Sequence, residues 1–386
     1  MNWRSKLIHP EGKAPEGFRS LAVPTYRGST VVFHTQEKVR EGWMEHADGY
    51  SYGLYGTPTA LELGVRLAEL EGARHTFLTS SGQSAIALIY LSFCGNGSHV
   101  LLPHTAYGPS KELANGLLQR CGIEVELYDP LMGADIERLL RPETALVWCE
   151  SPGSITMEVQ DVPAIVKAAH TSGVPVALDN TYAAGVLFDA FGHGVDVSMQ
   201  ALTKYVGGHS DLLLGSVSVG TEDAYLRIGE THRALGISAS PDDCSLALRG
   251  LQTLGVRLAA MGSSALAIAE WMRDQEGVEV VLHPALTSCP GHELWQRDFT
   301  GAASIFSIVF AEKFTVAQIH SFVNALRLFK IGWSWGGTAS LVMAYPNLER
   351  RPGGAGPVVR LSIGLEDRAD LIADLSVGLE AMKKAG

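Results

Sequence analysis

The sequence predicts an α/β fold, a mainly parallel sheet covered by helices and followed by a smaller α/β unit. Three observations predict it. Short apolar runs alternate with stretches of helical period through the middle of the chain, which is the pattern of strands joined by crossover helices. Several runs end on polar or charged residues, as strands do where they leave a sheet. With 386 residues, 46% hydrophobic and 18% charged, the chain has enough apolar material for a large buried core.

Residues 1–58 are rich in Gly, Pro, Tyr and charge, have helical period only around 35–44, and read as an arm. Thr59 is placed to cap a helix over 60–71, whose Leu61, Leu63, Val65, Leu67, Ala68 and Leu70 supply an apolar stripe. Strands are expected at 99–103, 123–128, 145–149, 175–178, 195–200 and 213–219, with helices at 84–93, 110–121 and 162–172 between several of them. A long helix is expected over 244–275, then a strand at 278–282 and a turn-rich stretch at 284–291. Strands at 303–310 and 358–363 with helices at 316–326 and 369–385 complete the smaller unit. The expected division is 1–58 for the arm, 59–248 for the large domain and 249–386 for the small one, closely packed because no low-complexity linker or internal repeat separates them.

Composition excludes some functions. A net charge of −11 disfavours a nucleic-acid or anionic-membrane partner, since phosphates reward clustered Lys and Arg. The longest apolar run, 85–93, is far short of the roughly 20 residues that cross a bilayer, and residues 1–10 contain no secretory signal, so a cytoplasmic protein is expected. Five widely spaced cysteines, none in a C-x-x-C pair, signal neither a disulfide framework nor a zinc site.

The chemistry is carried by two strand ends. Val176-Ala177-Leu178-Asp179 and Ser198-Met199-Gln200-Ala201-Leu202-Thr203-Lys204 each place a charge just beyond an apolar run, about 25 residues apart. A lysine amine can form a Schiff base with an aldehyde cofactor, and a carboxylate against a pyridine nitrogen keeps that ring protonated and electron-withdrawing. On spacing alone, Asp179 as a helix cap and Lys204 as a solvated surface amine account for the residues equally well. Thr79-Ser80-Ser81-Gly82-Gln83-Ser84 opens an apolar helix, where free backbone N–H groups and the helix dipole suit a phosphate; a plain Ser cap is the simpler account.

Together these segments resemble the cysteine and methionine metabolism enzymes that use pyridoxal 5'-phosphate on the aspartate-aminotransferase-like fold, fold type I. The resemblance runs from Tyr26-Arg27-Gly28-Ser29-Thr30 to Arg360-Leu361-Ser362-Ile363-Gly364-Leu365-Glu366-Asp367. Through Glu150-Ser151-Pro152-Gly153-Ser154-Ile155-Thr156-Met157-Glu158-Val159, Thr203-Lys204-Tyr205 with Gly208-His209-Ser210-Asp211, and Ser334-Trp335-Gly336-Gly337 it is nearest to bacterial carbon–sulfur β-lyases acting on cystathionine.

The resemblance implies a pyridoxal phosphate joined to Lys204, with Asp179 on the pyridine nitrogen, Tyr107 stacked on the ring, and Thr203 and the backbone of Gly82 and Gln83 on the phosphate. It also implies that Arg360 grips the substrate α-carboxylate, that Ser334 and Trp335 line its pocket, and that Tyr52 reaches the phosphate of a neighbouring subunit in a homotetramer built from dimers. Two departures stand out: Leu54 occupies the place of a phosphate-binding arginine, and Ala339 that of a common glutamate. The implied reaction is β-elimination of a small sulfur amino acid. The alternatives are γ-elimination or γ-replacement within the family and, in another class, a non-enzymatic regulatory protein that binds the cofactor.

Overall fold

The computed structural model describes residues 2–8, 21–39, 50–348 and 356–385. Seven strands form the large sheet: β1 (His75–Thr79), β2 (His99–Pro103), β3 (Glu124–Tyr128), β4 (Thr144–Glu150), β5 (Val176–Asp179), β6 (Val197–Ala201) and β7 (Gly215–Val219), in the order β1-β7-β6-β5-β4-β2-β3. Only β7 runs antiparallel to its neighbours. Five further strands, β8 (Val278–Leu282), β9 (Ile305–Phe310), β10 (Lys330–Ile331), β11 (Leu341–Tyr345) and β12 (Val358–Ser362), form a second sheet in the order β10-β11-β12-β9-β8.

The helices are α1 (Trp3–Ile8), α2 (Pro58–Glu71), α3 (Gly82–Phe93), α4 (Gly108–Leu113), α5 (Val162–Thr171), α6 (Glu222–Ala234), α7 (Pro241–Arg273), α8 (His292–Asp298), α9 (Val316–Ala325) and α10 (Arg368–Lys384). The central strands are buried on both faces, because alternate side chains enter different cores. Val147 and Cys149 of β4 and Val176 and Leu178 of β5 join one core, while Leu146, Trp148 and Ala177 join the core on the other face. A third core, around Phe306, Phe310, Phe322 and Leu375, lies under the second sheet.

Helix α7 belongs to two of these cores. Leu248, Leu251, Leu254, Leu258 and Met261 pack with the large sheet, whereas Ala265, Ile268, Ala269 and Met272 pack with the small one. At 33 residues α7 has the length and apolar content of a membrane span, but its apolar positions are spent on these two cores.

The structure departs from the expected elements in four respects. Thr59 is not a cap: α2 starts at Pro58 with Thr57 as N-cap, and the Thr59 hydroxyl ties the arm to the helix, donating to the Pro24 carbonyl and accepting from the Tyr26 N–H, both at 2.8 Å. The helix expected over 110–121 begins earlier and continues as a π-helical stretch over Ala114–Leu118. Strands β1, β10 and β11 and helices α1, α6 and α8 were not expected; β1 is short and runs directly into the polar opening of α3. Of the helical period around 35–44, Gln36–Lys38 form a 3₁₀ turn and 40–44 lie outside the described residues. The arm is held further by an Arg27–Asp242 ion pair, by a Gly53 N–H bond to the Ser29 carbonyl at 2.7 Å, and by the Thr30–Tyr52 bridge.

Candidate active site

A cavity of about 210 Å³ opens at the carboxyl ends of the large-sheet strands, the position where parallel sheets bind ligands. Gly82, Gln83, Tyr107, Glu150, Asp179, Thr203, Lys204 and Trp335 line it.

Asp179 ends β5, paired in register with Glu150 at the end of β4 and with Met199 of β6. It accepts a hydrogen bond from the Thr181 N–H at 3.0 Å and caps no helix. Burial raises its pKa; the Thr181 bond and the positive charge of Lys204 oppose that shift.

Lys204 follows β6 in a turn closed by its own N–H to the Ala201 carbonyl and by the Gly208 N–H to its carbonyl. Its amine is no surface group. Nζ donates to Ser334 Oγ at 2.6 Å and lies 5.3 Å from the centre of the Trp335 ring. Burial, reinforced by the charge of Arg360 and opposed by that of Asp179, lowers its pKa to about 8. Ser334 takes this position with φ of 84°, a left-handed conformation that a non-glycine residue holds only when its surroundings impose it.

Helix α3 points its start at the same cavity. Ser81 caps it through a reciprocal bond with Ser84, which leaves the Gly82 and Gln83 N–H groups, first in the helix, with no acceptor inside it. A side chain at residue 82 would put its Cβ 2.7 Å from that of Ala201, so only glycine lets the helix start lie this close to β6. Thr203 reaches the cavity with its hydroxyl on the backbone of Leu214, donating to the carbonyl at 3.2 Å and accepting from the N–H at 3.1 Å.

Tyr107 stands at the start of α4 with its side chain partly exposed into the cavity. Arg360, in β12, is buried; burial lowers its pKa, and its guanidinium lies 5.5 Å from the Tyr345 ring centre. It is not part of the cavity wall, though its charge is felt at Lys204 and Tyr107. Tyr52 and Leu54 lie away from this cavity: Tyr52 is exposed on the arm, and Leu54 faces a second cavity beside α2. Glu150 lines the site although no role was read for it in the sequence, where it appeared only as the first residue of a motif.

The model of a family described as Cys/Met metabolism PLP-dependent enzyme matches residues 4–380. The chain belongs to that family. It is therefore a pyridoxal-phosphate-dependent enzyme acting on small amino acids, and the regulatory-module alternative is set aside. A putative cystathionine beta-lyase of Rhizobium johnstonii is 46% identical over 366 residues, 93% of this chain and 91% of that one. A cystathionine beta-lyase of Escherichia coli is 43% identical over 363 residues, 91% of each chain. Among solved structures, a cystathionine gamma synthase of Xanthomonas oryzae pv. oryzae, in complex with aminoacrylate and cysteine, superposes with a TM-score of 0.91 at 29% identity, covering 100% of both chains. The family assigns fold type I to the chain, in agreement with the mainly parallel large sheet.

Proposed function

We propose that this enzyme cleaves the Cβ–S bond of cystathionine, which with one water gives homocysteine, pyruvate and ammonia. The observation that carries the reading is the placement of Lys204 and Asp179 in one cavity, each shifting the pKa of the other toward its charged form.

The residues fit pyridoxal phosphate. The N–H groups of Gly82 and Gln83, which have no acceptor within α3, and the close approach that glycine permits suit a phosphate, Tyr107 offers an aromatic face, and Asp179 offers a buried carboxylate to a pyridine nitrogen. When bound, the cofactor supplies an aldehyde that condenses with amines and a ring that withdraws electrons from Cα.

Lys204 would hold the cofactor in the resting enzyme. With a pKa near 8 its free amine is available at mildly alkaline pH, so it can take the Cα proton and return one to the departing thiolate sulfur. Ser334 keeps that amine aimed, and Arg360 provides a planar two-pronged donor for the substrate α-carboxylate. Tyr52 would complete the phosphate site of a second subunit in a cytoplasmic tetramer built from dimers; with Leu54 beside it, the helix start of α3 carries more of that anchoring.

The test is Lys204→Ala. The variant should lose pyruvate release from cystathionine by at least about 1,000-fold, the scale of a lost proton-transfer group. Full turnover together with an unchanged visible imine band would sink the assignment. The likeness to a gamma synthase favours γ-chemistry as the second reading, and 2-oxobutyrate in place of pyruvate would establish it.

A further inference from the structure

We propose that Glu150 is a positioning residue of this site: its side chain pins the backbone of Tyr107, and so the ring that faces the cavity. Glu150 Oε2 accepts the Tyr107 N–H at 2.8 Å, at the point where the chain turns into α4. Glu150 is itself held from behind. Its own N–H donates to Gln160 Oε1 at 2.8 Å, Gln160 Nε2 donates to the Tyr128 hydroxyl at 2.8 Å, and that hydroxyl donates to the Trp148 carbonyl at 2.8 Å. This buried chain fixes the end of β4, so a carboxyl group at its tip is an accurate reference point for Tyr107.

The register of the sheet sets Glu150 beside Asp179 on the neighbouring strand, and both face the same cavity. Two like charges in one buried site disfavour each other, so one carboxyl group keeps its proton. Asp179 has the Thr181 N–H and the Lys204 charge to stabilise its anion. Burial first, then the charge of Asp179, raises the pKa of Glu150 well above the carboxylate range, against the Tyr107 bond and the charge of Lys111. A neutral Glu150 still accepts the Tyr107 N–H through its carbonyl oxygen. Glutamine in its place has the same acceptor and no charge; leucine has the bulk without the acceptor.

The inference rests on the cofactor reading above. The experiment is titration of cofactor-free protein with pyridoxal phosphate, followed by quenching of tryptophan fluorescence and by the position of the visible band, with melting temperature measured in parallel. Glu150→Gln should bind within about threefold of the wild type and show the same band, whereas Glu150→Leu should bind at least about tenfold more weakly, the worth of one buried hydrogen bond, with a shifted band. Rescue by glutamine at equal melting temperature separates positioning from general destabilisation. Weakening of Glu150→Gln by tenfold or more overturns the proposal, and this holds even if Glu150→Leu fails to fold. Wild-type affinity in Glu150→Leu overturns it as well. A wild type that does not bind pyridoxal phosphate at all refutes the cofactor reading instead.

Discussion

Lys204 shows how burial converts an ordinary side chain into a proton carrier. An amine with a pKa of about 8 in the folded protein and its ordinary 10.5 in the unfolded chain binds more protons unfolded than folded between those pH values. The stability difference between the cofactor-free enzyme and a Lys204→Met variant should therefore rise with pH across that window, by about 3 kcal/mol in all at about 1.4 kcal/mol per pH unit, and level off above it. Chemical denaturation of both proteins from pH 7.5 to 10.5 checks this: the two curves should diverge as pH rises, and parallel curves would show that the lysine is not buried as described. At this scale the sequence singled out two charges that follow apolar runs, Asp179 and Lys204, and the structure brings both to one cavity. The sequence was mute about Glu150, which also ends a strand, because nothing local reveals that its side chain turns back to a backbone amide 43 residues earlier. Thr59 misled for a related reason: a hydroxyl near a helix start reads as a cap, and only the folded arm supplies the competing partners Pro24 and Tyr26.

At the scale of elements, the long helix α7 offers a contest with a definite sign. Helix propensity alone predicts that Gly250→Ala stabilises by about 1 kcal/mol. A Cβ there would stand 2.1 Å from the Val206 carbonyl oxygen and 2.7 Å from that of Gly207, in the turn that follows Lys204. Backbone cannot yield as a side chain can, so crowding wins and the net effect should be a loss of about 1–3 kcal/mol, read from the denaturant midpoint. A stabilised variant would refute the packing. Gly82→Ala belongs to the same class but strikes the start of α3, where contact with Ala201 should lower pyridoxal phosphate affinity as well as stability. Strands 99–103 and 278–282 were legible to the residue because their apolar runs are bounded on both sides. Strands β10 and β11 were missed because the former is two residues long and exposed and the latter is only partly buried, so neither carries the apolar run of a central strand.

At the scale of the whole molecule, one helix shared by two cores ties the sheets together, and the site lies at the carboxyl end of the larger one with Ser334 and Trp335 contributed from beyond it. Sharing of sites between subunits is tested by complementation. Tyr52→Ala and Lys204→Ala, each inactive or weak alone, should on reassembly from mixed subunits regain about a quarter of the sites, since half the dimers are hybrids with one intact site each. No recovery would mean that each chain builds its site alone. Such an assembly also gives meaning to the fastening of the arm. Thr59, the Arg27–Asp242 pair and the Ser29 carbonyl set the segment around Tyr52 against its own subunit, so its entropy is lost on folding and not on encounter. A second subunit in the proposed assembly would then meet a tyrosine already preorganised, and cutting the tether with Thr59→Val should weaken self-association while leaving the isolated cavity unchanged.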